Sequence, residues 1–258
     1  MADDKQPGIQ ETFISHLVEL RSRLVKAAFG VLLAFCILFF LWPGPAVLYD
    51  FVAKPMVDSL PAGSHMIATG ITTGFLIPLK VTFLLAFVVS LPWVLYQIWA
   101  FVAPGLYAHE KRLIAPLVIS SSLLFIAGTA FSYFLVFGRV FKFINEFAPK
   151  SIVITPDIEN YTDFVMTMCL AFGTAFEVPI VVVVLVRMGL VSIEKLKSIR
   201  AYIIVGAFVI SAIVTPPDIW SQLFLAVSMC LLFEIGLLAA PLFARATRAP
   251  EPDDVTAG

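Results

Sequence analysis

Apolar residues in this chain arrive in runs of about twenty, the length a helix needs to cross the hydrocarbon core of a bilayer. The runs are continuous rather than alternating, so they predict spanning helices and not the strands of a β-barrel. Before the first run, Phe13, Leu17, Leu20 and Leu24 recur at spacings of four, three and four. That pattern predicts an amphipathic helix lying along the membrane interface before the chain turns into span one, residues 25–41. Trp42-Pro43-Gly44-Pro45 stops the span. A weaker amphipathic run from Val47 to Leu60 predicts a short helix on the outer surface. Span two covers 76–98, with Pro92 expected to kink it near Ser90. Span three covers 113–137, and a second outer loop follows from Gly138 to Asn160. Span four covers 161–186. Ser192 is placed to cap a short helix in the polar loop after it. The apolar run Ala201–Val214 is only 14 residues long, about 21 Å as a helix. Thr215-Pro216-Pro217-Asp218 then forces a tight turn into span six, 220–238. Helices five and six are therefore expected to be short, with the bilayer thinned around their turn or the turn roofed by the outer loops.

The fold class is an all-α membrane protein with six transmembrane helices and an N-terminal interfacial amphipathic helix. Residues 1–10 read as a mobile N-terminus, 11–243 as one integral membrane domain and 244–258 as a disordered cytosolic tail. Composition agrees: 60% of residues are hydrophobic and 14% charged, against about 25% charged in soluble domains. Basic and acidic residues number 17 and 18, a balance that argues against nucleic acid as a partner. Cys36, Cys169 and Cys230 all lie inside apolar runs and form neither a disulfide framework nor a CxxC pair. No metal site, cofactor or redox chemistry is expected. The polar, acidic N-terminus does not read as a signal peptide, so span one is expected to stay in the mature protein. Basic residues crowd the segments that share a side with both termini, such as Arg21, Arg23, Lys26, Lys111, Arg112, Lys195 and Lys197. The other side holds only Lys54, Arg139, Lys142 and Lys150. Both termini are thus expected in the cytosol.

Candidate chemistry sits in two cytosolic stretches and one membrane position. Phe101 to Arg112 is a short polar island between two spans, and it faces the same side as His16–Leu24. Glu19 and Glu110, one in each stretch, are spaced to receive a cationic partner, each acid able to take a guanidinium in a two-point fork. Phe101 and Tyr107 offer aromatic walls. A simpler reading pairs Glu19 with Arg23 four residues on, and Glu110 with Lys111 or Arg112. His16 is either a helix-face residue or a contact. Glu177 falls near the middle of span four, where an ionisable group costs at least about 2.5–3.5 kcal/mol, and Pro179 frees the carbonyl of Ala175 beside it. It reads as a protonated acid bonded to a neighbouring helix, as part of a groove for a partner helix, or as a proton relay. Asp218 reads as a cap for span six, and Glu234 as an interfacial charge. No phosphate loop, serine elbow or zinc-protease motif is present, so no catalytic residue is assigned and an enzyme is not expected.

Four stretches together resemble one family. These are His16-Leu17-Val18-Glu19-Leu20-Arg21-Ser22-Arg23-Leu24; Tyr96 to Tyr107 with Glu110; Phe172-Gly173 with Phe176-Glu177-Val178-Pro179; and Thr215-Pro216-Pro217-Asp218 with Gln222. In order and spacing they are similar to the TatC family of the twin-arginine protein translocase, over residues 12–243. The pattern departs at Thr72-Thr73-Gly74-Phe75, where many members carry an acidic residue or proline before the phenylalanine. The resemblance implies a concave, glove-like bundle in the plasma (inner) membrane. It implies a receptor that recognises the Arg-Arg pair of signal peptides on folded cargo and acts with single-span TatA and TatB subunits on the proton-motive force. Self-association within that hetero-oligomer is implied as well. By motif position, Glu19 and Glu110 bind the signal arginines, Arg21 and Phe101 shape that surface, Glu177 forms a polar groove, and Asp218 with Gln222 helps to place partner helices. The reading from another class is a proton-coupled small-solute transporter that uses Glu177.

Overall fold

The computed structural model describes residues 9–60, 65–102, 114–147, 149, 155–216 and 218–244. Ten α-helices are described: α1 (Ile9–Cys36), α2 (Pro45–Val57), α3 (Thr73–Val102), α4 (Ile114–Phe131), α5 (Gly138–Phe147), α6 (Ile158–Ala175), α7 (Val178–Arg187), α8 (Ile193–Ser198), α9 (Arg200–Val214) and α10 (Ile219–Ala244). Two π-helical turns extend α1 and α4, over Ile37–Leu41 and Ser132–Phe137. Among the described residues five helical stretches are long and apolar enough to cross a membrane, and α9 is a shorter apolar helix. The chain is a multi-pass helical membrane protein. Its contacts divide it into two compact units, residues 1–54 with 68–122, and residues 55–67 with 123–258. The terminal segments called mobile and disordered lie outside the described residues, except that α1 already begins at Ile9 and α10 ends at Ala244.

In the first unit α1 and α3 lie antiparallel, tied at three levels. His16 stacks on Phe101 at 4.3 Å, the Trp93 indole Nε1 donates to the Lys26 carbonyl at 2.9 Å, and Phe35 meets Phe83 at 6.2 Å. The chain allows this approach because the stripe of α1 facing α3 is small. Ala27 and Val31 are buried, and Gly30 stands where any Cβ would collide with the Trp93 ring. Small residues at a helix seam let backbones come close where lipid gives no hydrophobic drive between helices. The amphipathic stretch and span one are one unbroken helix, so the expected turn between them is absent. A helix with a continuous small-residue stripe against α3 has no reason to break at Leu24.

Pro78 and Pro92 both lie inside α3, which stays a continuous helix through them. Hydroxyls bond the local backbone at both places, Thr82 Oγ1 to the Pro78 carbonyl at 2.7 Å and Ser90 Oγ to the Phe87 carbonyl at 3.1 Å. Such side chains are among the devices that let membrane helices carry proline. Further along, buried Ser121 accepts the Trp99 indole N–H at 3.1 Å, while Ser122 bonds back to its own helix at Val118.

The second unit packs α6, α7, α9 and α10 with the later part of α4. Helix α5 overturns the expectation of a loop from Gly138. Gly138 keeps helical angles (φ −58°, ψ −36°), and the chain runs on helically to Phe147, burying Val140 and Phe141 while Arg139 and Lys142 stay exposed. The polar periodicity of this stretch was a helix signal as well as a loop signal. The connections before α3 and before α6 are joined by backbone pairing: Ile67 N–H donates to the Pro156 carbonyl at 3.0 Å, and Ile158 N–H to the Ile67 carbonyl at 2.9 Å.

Helix α9 has 15 residues, about 22 Å, as expected. Helix α10 has 26, about 39 Å, so the expectation that both are short holds for the fifth helix alone. The extra length has a packing reason. Phe233 and Leu237 on α10 form a buried cluster with Val182 on α7 and Leu196 on α8, so α10 continues beside these helices after α9 has ended.

Candidate functional site

At the start of α1 the side chains fall into two sets. His16, Glu19 and Arg23, at spacings of three and four, share the face turned to α3. Arg21, two positions after Glu19, lies about 160° around the helix from it and is exposed. The structure therefore brings Glu19 together with His16 and, through the His16 stack, with Phe101, and it does not bring Arg21 to that face. His16 stacks on Phe101 with planes 22° apart, so it is a helix-face residue packed against α3.

Glu19 is engaged. Both Nε and Nη2 of Arg23 donate to its Oε1, at 2.9 and 2.6 Å. The pair is only partly withdrawn from solvent, the side chains being 24% (Arg23) and 37% (Glu19) exposed. This is the simpler pairing read from the sequence. It is one-sided, since two N–H groups converge on one carboxylate oxygen instead of forking across two. Sequence reasoning found Arg23 as Glu19's neighbour and omitted it from the site. The i, i+4 spacing was the signal. Glu110, Lys111, Arg112 and Tyr107 lie outside the described residues.

In the second unit the expected polar interruption is where the sequence put it. Helix α6 ends at Ala175, the N–H groups of Phe176 and Glu177 close on Phe172 and Thr174, and α7 restarts with Pro179 in its first turn. Glu177 is half-buried at this break. Two glycines bring neighbours hard against it. A Cβ on Gly236 of α10 would lie 2.8 Å from Pro179 Cα, and one on Gly128 of α4 would lie 2.5 Å from the Phe172 carbonyl oxygen. The Gly236 contact has a consequence for Glu234. Two residues earlier on α10, it lies level with the α6–α7 break, and its carboxylate takes the Arg200 guanidinium at 2.7 Å. Glu234 is thus a pinned acid at the first turn of α9, more than a mere interfacial charge.

Beside the break is a groove of about 490 Å³ lined by Thr167, Ala171, Thr174 and Val178 with Ile210 and Met229. It is largely apolar, and Glu177 does not line it, although Val178 does. Asp218 caps α10: its Oδ1 accepts the Ser221 N–H at 2.7 Å. Gln222, one turn into α10, is half-buried and donates its own N–H to the Asp218 carbonyl at 3.3 Å. Among the described residues no group of three or more His, Cys, Asp or Glu side chains is arranged to hold a metal ion.

Comparison with known proteins gives one answer. Residues 15–227 match the family described as Sec-independent protein translocase protein (TatC). The TatC protein of Haemophilus influenzae is 47% identical over 241 residues, covering 93% of this chain and 91% of that one. Its counterpart in Escherichia coli K12 is 45% identical over 236 residues, covering 91% and 88%. A crystal structure described as the twin-arginine translocase receptor TatC superposes with a TM-score of 0.77 at 37% identity, covering 89% of this chain and all of that one.

Proposed function

The chain belongs to the TatC family of Sec-independent protein translocase proteins, and from that premise we propose how its residues divide the work. Its function is that of a TatC-type receptor and core subunit of the twin-arginine translocase, a non-catalytic role. The small-solute transporter reading has no place in that family. The arginine pair of a signal peptide docks on the cytosolic end of the first unit, with Glu19 taking one guanidinium and Glu110 the other. Phe101, stacked on His16, forms the floor beside them. Arg21, on the opposite face of α1, serves the surface around the site and does not contact the ligand.

The observation that carries this reading is Glu19 itself. A half-exposed carboxylate on the α3 face already holds a guanidinium at 2.6 Å, so the position is built for that ligand chemistry. A fork across both oxygens gives an arginine two parallel charge-assisted bonds, which a lysine ammonium cannot reproduce. The excess of Lys and Arg on the segments sharing a side with the termini supports a cytosolic placement for both.

In the second unit the groove next to the α6–α7 break is suited to a single apolar helix, with Glu177 supplying the polar element at its edge. TatA- and TatB-type subunits are the proposed occupants. Asp218 and Gln222 hold the first turn of α10, and so the outer end of that wall. Self-association of the chain belongs to the same assembly.

The test is equilibrium binding of an Arg-Arg signal peptide to the detergent-purified chain. Glu19→Ala and Glu110→Ala should each weaken binding by at least tenfold, and a Lys-Lys peptide should bind the native chain as weakly. Wild-type affinity in both variants removes these acids from the site.

A further inference from the structure

The Glu19–Arg23 pair bears on affinity as well as on structure. We propose that Arg23 is a built-in competitor for the signal arginine: its guanidinium occupies Glu19 in the resting receptor, and an incoming arginine must displace it. The inference rests on the reading that Glu19 receives a signal arginine.

Three observations carry it. The occupying group has the same chemistry as the proposed ligand, a guanidinium, and reaches the same carboxylate oxygen with Nε and Nη2 at 2.9 and 2.6 Å. The occupancy is incomplete in geometry, because both N–H groups fall on Oε1, whereas a guanidinium arriving from outside can span both oxygens. The competitor is also held in place: Arg23 is the less exposed partner, at 24%, on the stripe that continues into buried Ala27 and Val31. It follows that every cation that binds Glu19 must first displace Arg23, and that an arginine then has a fork across both oxygens open to it.

The size of the effect follows from population arithmetic. An i, i+4 acid–base pair of ordinary strength is closed roughly two times out of three. Removing the competitor therefore raises the apparent affinity about threefold, since the competent fraction rises from about one third to one. Simple competition applies the same factor to any ligand of Glu19, so the ratio of Arg-Arg to Lys-Lys affinity stays where it was.

The experiment measures both peptides against the full-length chain in detergent, as wild type, Arg23→Gln, Arg23→Met, Glu19→Gln and the Glu19→Gln/Arg23→Gln double variant. Arg23→Met keeps an unbranched apolar stem at the position, so a folding defect of one variant does not end the test. The expected result is about threefold tighter binding of both peptides by both Arg23 variants, with no gain in the Glu19→Gln background. A purely structural role for Arg23 cannot produce tighter binding. Unchanged or weaker binding in both Arg23 variants overturns the proposal while leaving Glu19 as the receptor acid, provided Glu19→Gln loses affinity. A gain that persists without Glu19 also overturns it. If Glu19→Gln binds as wild type, the underlying reading fails first, and the proposal with it.

Discussion

Replacing Gly128 with alanine puts a methyl group where the second unit has no room. The added carbon would stand 2.5 Å from the Phe172 carbonyl oxygen and 2.9 Å from its carbon, both backbone atoms. Ordinary contact lies near 3.5 Å, so α4 and α6 must part by about 1 Å, and no side-chain rotation relieves it. Overpacking against backbone atoms, which no rotamer change relieves, falls in the upper part of the usual range, about 2–3 kcal/mol. The higher helix propensity of alanine returns up to about 1 kcal/mol, leaving a net loss of about 1–2 kcal/mol. For a chain this long that is a fall in melting temperature of roughly 2–8 °C. Gly173→Ala is the graded comparison: its methyl meets the Phe125 ring at 2.6 Å, a side chain that can swing, so the loss should be smaller. Gly206, with nothing within 4 Å, is the control, and Gly206→Ala should be neutral or slightly stabilising. Thermal unfolding of the three variants in one detergent, followed by monodispersity on a sizing column, reads the order directly. If Gly128→Ala melts with Gly206→Ala, the close α4–α6 seam that presents Phe172 and the Glu177 break is wrong.

Three further outcomes follow from local geometry. Asp218→Ala removes the cap on α10 and should cost about 1 kcal/mol, with Asp218→Ser keeping most of the stability in the same melt. Arg200 opens α9, where a cation opposes the helix dipole, and depends on Glu234 for compensation. The exchanged pair Arg200→Glu/Glu234→Arg should melt above either single exchange, by up to about 1 kcal/mol of coupling in a double-mutant cycle. Gly30→Ala should push the Trp93 ring off α1 and break its bond to the Lys26 carbonyl, and the added change Trp93→Leu should recover part of the lost melting temperature.

The helices of this protein are legible because bilayer length and helix-breaking residues both leave strong marks. The polar notch read at Glu177-Val178-Pro179 in span four is a full break between α6 and α7, the Ser192 and Asp218 caps form, and α9 is short. What was misread depended on packing partners. The turn between the amphipathic stretch and span one does not occur, because Ala27, Gly30 and Val31 continue one seam with α3, and a seam cannot be seen from one strand of sequence. Gly138 looked like a loop opener, yet in helical conformation it simply leads into α5. The length of α10 follows its fit against α7 and α8, and the sequence reading ended span six at 238 although Ala239 to Ala244 carry the apolar run to the end of the helix. At the candidate site helical spacing was enough to pair Glu19 with Arg23, whereas Arg21, which the resemblance put on the same surface, lies on the opposite face of α1. That this pair is one-sided, and that Arg200 pins Glu234, follow from the fold and not from spacing.

The most direct test of the central claim is where a signal peptide's arginines land. A photo-reactive residue placed beside the Arg-Arg pair, crosslinked to the purified chain and mapped by mass spectrometry, should label the stretch from His16 to Arg23 or the segment 103–113. The labelling should fall away in Glu19→Ala and with a Lys-Lys peptide. Labelling confined to the α6–α9–α10 groove, or unchanged by Glu19→Ala, would contradict the account and move the receptor site away from α1.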